Sequence, residues 1–308
     1  MDIPVLIIAF TRVRAVKVLL ESLRQSRPSR ICVSIDGPRR KVQGDIQKCA
    51  TVKACFDDID WDCDIVFNHV PSNMGCDPHV QFALDWFFSM HTEGIILEDD
   101  CIPSADFFRF AADMLHTYAD DQKVMMICGT SVVDDRDSHN ADEASYRLSD
   151  YCFSWGWATW RRAWLCYKKE ISDPYIVSEK KSYFPANEKR FWNRYFESYV
   201  SGKYCNWDGK WIHSIWSCGG VCIIPNVNLV LNIGFSADST HTFFKDKSMP
   251  IRYGSLGAIK HPASRSINYA ADRRLFDQCF KKNLPAKMIY RARFLFEKMR
   301  KSLFARLF

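Results

Sequence analysis

Apolar residues in the first half of the chain follow two alternating patterns. Continuous runs of four to seven residues, rich in Val, Ile and Leu, predict short strands buried on both faces. Longer stretches with apolar residues three or four positions apart predict amphipathic helices. The predicted strands cover residues 4–10, 31–35, 64–67, 94–97 and 124–128, and the predicted helices cover residues 12–25, 45–56 and 79–90.

This alternation predicts an α/β fold with a doubly wound, Rossmann-like, mostly parallel sheet, because strands joined through helices pair in parallel by right-handed crossovers. In such sheets, ligands bind beyond the carboxyl ends of the strands, near the point where the strand order reverses. Acidic residues stand at two of these ends: Asp36 follows the strand at 31–35, and Glu98, Asp99 and Asp100 follow the strand at 94–97. The sequence therefore predicts a ligand site at this edge.

The second half of the chain has a different composition, dominated by aromatic side chains. Eight of the ten tryptophans lie between residues 149 and 220. No Pro-, Gly- or Ser-rich linker separates the halves, so we predict one domain over 1–280, with a first half at 1–148 and an aromatic-rich second half at 149–280. Residues 281–308 form a separate tail.

Three consecutive carboxylates at the end of a buried strand are costly, since each repels the next and resists burial unless a cation or donors satisfy it. Hard oxygen ligands suit Mn²⁺ or Mg²⁺, which take one or two protein carboxylates together with substrate phosphates. The run at Glu98 to Asp100 therefore predicts a divalent cation bridging a nucleotide diphosphate. A solvated acidic turn is the plainer interpretation.

Several segments resemble GT-A fold glycosyltransferases of the N-acetylglucosaminyltransferase I and bacterial family-2-like type. Residues 94–108, which contain the Glu-Asp-Asp run, then Pro103 and a later Asp-Phe-Phe, resemble the metal-binding segment of that family. The other matching segments follow in the same order along the chain, at residues 4–12, 33–36, 73–75, 155–164, 207–211 and 225–241. The resemblance covers roughly residues 4–245.

The resemblance implies a donor site for a nucleotide-diphosphate sugar, with UDP-sugar favoured. It makes 1–148 the nucleotide-sugar-binding half and 149–280 the acceptor half. Arg12 corresponds to the family's donor-site arginine, and Asp36 to the carboxylate that holds the uridine. In the acidic run, Asp100 is expected to bind the metal, while Asp99 and Glu98 orient the ribose and sugar hydroxyls. His79 could face the uracil or simply begin a helix.

The resemblance also implies the remaining roles. Asp208, in Trp-Asp-Gly-Lys-Trp, corresponds to the segment that bears the catalytic base of an inverting transfer, although the spacing differs from the family's and one acid stands where the family has two. His241 is expected to bind the metal, with Asp238 as a weaker substitute. The acceptor is a glycan or lipid-linked sugar, expected to stack on the rings of Trp155, Trp157 and Trp160.

The tail carries the positive charge of the chain. Residues 281–308 contain nine Lys or Arg and one Glu, whereas the whole chain has a net charge of +6. Apolar residues recur at near-helical spacing among the basic ones, which favours an amphipathic helix on an anionic membrane surface. A helix docked on the catalytic domain or on a partner is the alternative.

No signal peptide and no membrane-spanning run of roughly 20 apolar residues is apparent. The thirteen cysteines lack Cys-x-x-Cys spacing, which is typical of free thiols in a reducing compartment. We therefore expect a cytoplasmic enzyme, peripheral on the cytoplasmic face of the inner membrane, that contributes to surface polysaccharide synthesis. No nucleic-acid partner is expected.

Two other functions remain open from the sequence. A sugar-nucleotide pyrophosphorylase shares the doubly wound sheet but normally has a Gly-rich loop after its first strand, and residues 10–14 contain no glycine. A non-catalytic carbohydrate- or membrane-binding module could use the tryptophans and the tail. Such a module would not bind a nucleotide donor.

Overall fold

The computed structural model describes residues 2–132, 144–234 and 253–281. The chain separates into two compact units, Met1–Asn268 and Tyr269–Phe308. The second unit is described only as far as residue 281, and its one regular α-helix there is α9 (Tyr269–Phe276). The following description concerns the first unit.

The predicted strands and helices of the first half are all present, and most of their bounds lie within three residues of the prediction. The strands are β1 (Val5–Ala9), β2 (Arg30–Ile35), β3 (Asp64–His69), β4 (Glu93–Glu98), β5 (Cys101–Pro103) and β6 (Val124–Cys128). The helices are α1 (Val13–Leu23), α2 (Asp45–Ala54), α3 (Cys76–Met90) and α4 (Ala105–Thr117). The short strand β5 is absent from the prediction.

The second half supplies further strands and the remaining helices of this unit. Its strands are β7 (Tyr146–Ser149), β8 (Trp157–Trp160), β9 (Val221–Pro225) and β10 (Val230–Asn232). Its helices are α5 (Arg161–Trp164), α6 (Ile176–Lys180), α7 (Ala186–Val200) and α8 (Trp207–Ser217).

Eight strands form one mixed, mostly parallel sheet with flanking helices, in the order β3-β2-β1-β4-β8-β6-β9-β7. The pairs β1–β2, β2–β3, β1–β4 and β6–β9 are parallel, whereas β8 is antiparallel to both of its neighbours. The chain runs outward from β1 to β3 and then returns to place β4 on the other side of β1. The order thus reverses between β1 and β4, which confirms the predicted doubly wound class.

The sheet does not divide where the sequence composition changes. Strand β8, from the aromatic half, lies between β4 and β6, and β9 pairs with β6. The segment around Trp157, which the sequence identifies as a substrate loop, is instead a central strand whose four residues are all buried. A strand with neighbours on both sides and both faces covered has no room for a ligand.

The core forms because the apolar pattern of each element matches its position. All five residues of β1 are buried, and α1 buries Val16, Leu19, Leu20 and Leu23 on one face. Gly94 in β4 lets α3 approach closely, since a Cβ there would lie 2.3 Å from the Phe87 ring. These contacts fix the ends of β1 and β4 that carry the site.

Two sequence predictions fall on residues outside the described ranges. His241 and Asp238 lie in 235–252, and all but the first residue of the tail lies in 282–308. Within the part of the chain that the structure describes, no helix is long and apolar enough to cross a bilayer.

Candidate functional site

The acidic run lies at the reversal point of the sheet. Glu98 is the last residue of β4 and pairs in register with Ile8 of β1. Asp99 and Asp100 form the turn to β5, and the Asp99 amide donates a hydrogen bond to the Ile8 carbonyl over 3.0 Å. The parallel pairing of β1 and β4 therefore brings the chain after Ala9 and the three acids to one place.

Arg12, directly before α1, is the cation that faces this run. Its guanidinium contacts the carboxylates of both Asp99 and Asp100, with Nη1 2.5 Å from Asp100 Oδ2. The Arg12 side chain is 23% exposed, whereas those of the two aspartates are 2% and 11% exposed. The structure thus brings the predicted donor-site arginine onto the predicted metal and donor carboxylates.

One guanidinium does not neutralise three carboxylates. Burial raises the pKa of Glu98 to about 8, and the neighbouring Asp100 and Asp99 contribute to this rise. Burial also raises the pKa of Asp99 to about 6, although Arg12 opposes that shift. Burial lowers the pKa of Arg12, but the charges of Asp99 and Asp100 more than offset this and raise it. The acidic run therefore favours the binding of a further cation.

The backbone of β10 and of the two residues after it packs against Asp100. Strand β10 pairs antiparallel with β5, and the Ile233 amide donates to the Asp100 carbonyl over 2.9 Å. Gly234 follows, and a Cβ at this position would lie 2.0 Å from Asp100 Oδ2. Glycine is needed here because any side chain would displace the carboxylate.

The acidic run fits the predicted divalent cation in ligand type and charge. Its carboxylate oxygens are hard donors, and they exceed the positive charge of Arg12. Within the described ranges, no group of three or more His, Cys, Asp or Glu side chains is arranged so that it could hold a metal ion. A cation here would therefore depend on Asp100, its close neighbours and ligands from a bound phosphate, as Mg²⁺ sites commonly do.

Asp36 directly follows β2, at the strand end where the sequence predicts it. It is 4% exposed, and its carboxylate accepts four hydrogen bonds. Oδ1 accepts from the amides of Gly37 and Met74, over 2.9 and 2.8 Å. Oδ2 accepts from Asn73 Nδ2 and the Gly75 amide, over 2.8 and 3.1 Å. These donors occupy the lone pairs of the carboxylate, so we assign Asp36 to fixing the loop before α3 rather than to a nucleotide.

His79 lies beneath this loop and does not face solvent. It is 3% exposed, and its Nε2 is 2.9 Å from the hydroxyl of Ser34 on β2. Burial lowers the pKa of His79, with a smaller opposing effect from Asp36. A neutral, buried imidazole paired with a serine supports the packing of α3 on the sheet, and we do not assign it to the uracil.

Asp208 lies in the first turn of α8 and is exposed to solvent. The preceding Trp207 is 5% exposed, and its ring stacks on Trp157 of β8 at a centroid distance of 5.9 Å. The buried tryptophan therefore anchors the end of the helix and directs the next residue outward. Burial is the main cause of the raised pKa of Glu98, and the charge of Asp208 makes a small contribution to that rise.

A half-buried ion pair links α8 to the start of α3. Lys210 Nζ lies 2.7 Å from Asp77 Oδ2, and the two side chains are 13% and 16% exposed. The pair ties the turn that carries Asp208 to the helix that begins at the Asp36 loop. The sequence does not predict this pair, because Asp77 precedes the predicted helix at 79–90 and Lys210 lies 133 residues further along the chain.

Two of the three predicted acceptor tryptophans are interior residues. Trp157 and Trp160 are 1% and 4% exposed. Trp157 packs on Trp207 and Trp211, and Trp160 Nε1 donates to the Leu115 carbonyl over 3.3 Å. Neither ring presents a face to an acceptor, so we assign both to packing. Trp155 is only partly buried against the core.

No protein-family model and no curated protein matches the sequence. Among solved structures, apo xyloside xylosyltransferase 1 from mouse is similar with a TM-score of 0.36 and 8% identity, covering 70% of this chain and 81% of that chain. HddC from Yersinia pseudotuberculosis has a TM-score of 0.33 and 13% identity, with 52% and 77% coverage.

A putative glucose-1-phosphate thymidylyltransferase from Bacillus anthracis, in complex with a sucrose, has a TM-score of 0.32 and 10% identity, with 64% and 83% coverage. Because all of these TM-scores are below 0.5, we draw no conclusion about the chemistry of this protein from them.

Proposed function

We propose that this protein is a metal-dependent, inverting glycosyltransferase that moves a hexosyl or N-acetylhexosaminyl group from a nucleotide-diphosphate sugar to a glycan or lipid-linked acceptor. UDP-sugar is the favoured donor by the resemblance of the motifs. In this proposal, the enzyme contributes to surface polysaccharide synthesis on the cytoplasmic face of a membrane, which it reaches through the basic tail.

The observation that supports the proposal most strongly is the charge at the reversal point of the sheet. Three carboxylates, Glu98 to Asp100, lie where open α/β sheets bind their ligands, and the Arg12 guanidinium contacts two of them. Burial and mutual repulsion raise the pKa of Glu98 and of Asp99, which supports the proposal that a further cation binds here. A divalent cation with a diphosphate fits both the charge and the location.

Asp100 would hold the cation, and Mn²⁺ or Mg²⁺ would supply Lewis-acid stabilisation of the charge that develops on the departing diphosphate. Arg12 keeps Asp99 and Asp100 in place, because its guanidinium contacts both carboxylates. Glu98 and Asp99 would accept hydrogen bonds from ribose and sugar hydroxyls, which orients the anomeric carbon toward the acceptor.

Asp208 is the proposed general base. The acceptor hydroxyl oxygen forms a bond to the anomeric carbon while the bond from that carbon to the diphosphate oxygen breaks and its electron pair leaves with the nucleoside diphosphate. The hydroxyl proton moves to the Asp208 carboxylate. One displacement on the face opposite the leaving group inverts the anomeric configuration.

The test compares donor hydrolysis, with water as acceptor, in the wild type and Asp208→Asn. We expect the variant to lose about 10²- to 10⁴-fold in rate, the usual range for general base catalysis, while its affinity for the nucleotide sugar with Mn²⁺ is unchanged. Asp120→Asn, at an exposed acid after α4, serves as the control.

Donor hydrolysis by Asp208→Asn at the wild-type rate would show that Asp208 is not the general base. Formation of a nucleoside triphosphate and a sugar 1-phosphate on addition of pyrophosphate would instead identify a pyrophosphorylase and contradict the proposed transfer. Both outcomes are read from the same product analysis.

A further inference from the structure

Three tyrosines gather beside the first turn of α8. Tyr195 and Tyr199 are on α7, and their hydroxyl oxygens are 2.9 Å apart. Tyr204, in the connection to α8, has its ring centroid 6.1 Å from that of Tyr195 and 6.2 Å from that of Tyr199. We call these three residues the tyrosine group.

Gly209 allows the tyrosine group to contact α8. A Cβ at this position would lie 1.8 Å from the Tyr199 hydroxyl and 2.8 Å from the Tyr195 hydroxyl. Both hydroxyls therefore pack against the helix backbone at the residue that follows Asp208. Asp208 also contributes to the raised pKa of both phenols, after the larger effect of burial.

Exposure differs among the three rings in a way that suits a ligand. Tyr204 is 48% exposed, Tyr195 is half-buried and Tyr199 is 9% exposed. The group therefore has a rigid inner part and an aromatic face open to solvent. Of the three tryptophans predicted to provide such a face, Trp157 and Trp160 are interior.

We infer that the tyrosine group is the acceptor subsite and that it binds a pyranose. The Tyr204 ring would stack on the C–H face of the sugar, as aromatic side chains do with apolar surfaces. The inference rests on the proposed function, because it takes Asp208 as the base that receives the proton of the acceptor hydroxyl.

The paired phenols fix the inner part of the group. Their hydroxyls hydrogen-bond to each other over 2.9 Å and pack against the helix backbone at Gly209. Because Gly209 directly follows Asp208, a pyranose stacked on the Tyr204 ring would lie beside the helical turn that carries the Asp208 carboxylate.

The test measures binding of methyl β-D-glucopyranoside, methyl β-D-galactopyranoside and methyl N-acetyl-β-D-glucosaminide to the full chain by saturation-transfer NMR. We expect at least one glycoside to bind with a dissociation constant on the order of 1 mM. Tyr204→Ala should weaken that binding about three- to tenfold, since a stacked ring contributes about 0.5–1.5 kcal/mol.

Two controls separate stacking from general damage. Tyr204→Phe keeps the ring and should bind like the wild type. Tyr175→Ala removes a ring that is 54% exposed beside α6 and should also bind like the wild type. Donor hydrolysis should be unchanged in Tyr175→Ala, because this residue belongs neither to the acidic run nor to the tyrosine group.

Wild-type binding by Tyr204→Ala, or no binding of any glycoside by the wild-type protein, would overturn the inference. Failure of the proposed function would look different: the wild type would not hydrolyse any nucleotide sugar, yet Tyr204-dependent glycoside binding would persist. In that case, the tyrosine group would still be a sugar-binding surface.

Discussion

Among the individual residues of the site, Glu98 is the clearest example of a side chain whose environment opposes its charge. It ends β4 beside Asp99 and Asp100, and Arg12 contacts these two acids. Burial raises its pKa from 4.5 to about 8. The protonated form of Glu98 is therefore favoured in the folded protein over much of the neutral range.

This raised pKa predicts a specific pH dependence of stability. The folded state holds a proton that the unfolded state has released between about pH 4.5 and 8, so Glu98 lowers the free energy of unfolding as the pH rises through that window. Glu98→Gln should remove this loss and stabilise the metal-free protein at pH 8 by on the order of 4 kcal/mol. At pH 5 it should have little effect.

Chemical denaturation at the two pH values measures this difference. Glu21→Gln is the matched control, because the Glu21 side chain is 74% exposed and should change stability little at either pH. Equal stability of Glu98→Gln and the wild type at pH 8 would mean that the Glu98 carboxylate is solvated or neutralised by groups other than Arg12.

At the scale of elements, the loop between β3 and α3 depends on a residue from another strand. Asp36, at the end of β2, holds the amides of Met74 and Gly75 and the side chain of Asn73. The loop therefore begins α3 in a fixed position, and α3 in turn contacts α8 through the ion pair between Asp77 and Lys210. The position of the base thus depends on Asp36 through two helices.

Asp36→Asn tests this structural role. An amide would place a donor against backbone amides, leaving buried groups unsatisfied at a cost of about 1–3 kcal/mol each. We expect a melting temperature several degrees lower without any ligand. Asp64→Asn, at a half-exposed acid that begins β3, should have no comparable effect.

The competing role for Asp36 gives the opposite result. If its carboxylate binds the uridine directly, Asp36→Asn should leave the melting temperature of the ligand-free protein unchanged. Only the affinity for the nucleotide should fall. Thermal unfolding with and without nucleotide distinguishes the two roles.

The sequence predicts the elements of the first half well because each has a regular apolar period that tertiary contacts reinforce. It does not predict β8, since its alternating tryptophans resemble a ligand-binding loop as much as a strand. The role of Asp36 is also hidden, because its donors lie 37 to 39 residues away along the chain. The acidic run was identifiable because three adjacent charges after a buried strand need compensation.

At the scale of the whole molecule, the sheet of the first unit joins both halves of the sequence. Strand β4, which ends in the acidic run, has β1 on one side and β8 on the other, and β6 has only β8 and β9 as neighbours. The two halves that differ in composition therefore share one hydrophobic core. Neither half contains all the strands with which its own strands pair.

This arrangement predicts that residues 1–148 do not fold by themselves. Without the later strands, β4 would expose one edge and β6 would have no partner, so the buried apolar faces would remain in water. A fragment of 1–148 should show poor dispersion of amide signals by NMR, whereas 1–268 should fold. A well-dispersed spectrum from 1–148 would show that the first half is an independent domain.

The most direct test of the central claim is thermal unfolding of the full chain with UDP, GDP, dTDP or CDP, each with and without Mn²⁺. A ligand at 100 times its dissociation constant stabilises a folded protein by about 2.7 kcal/mol. We predict that at least one diphosphate raises the melting temperature by several degrees only when Mn²⁺ is present, and that Asp100→Asn abolishes this rise. If no diphosphate stabilises the protein in a metal-dependent way, the acidic run is not a nucleotide-sugar site.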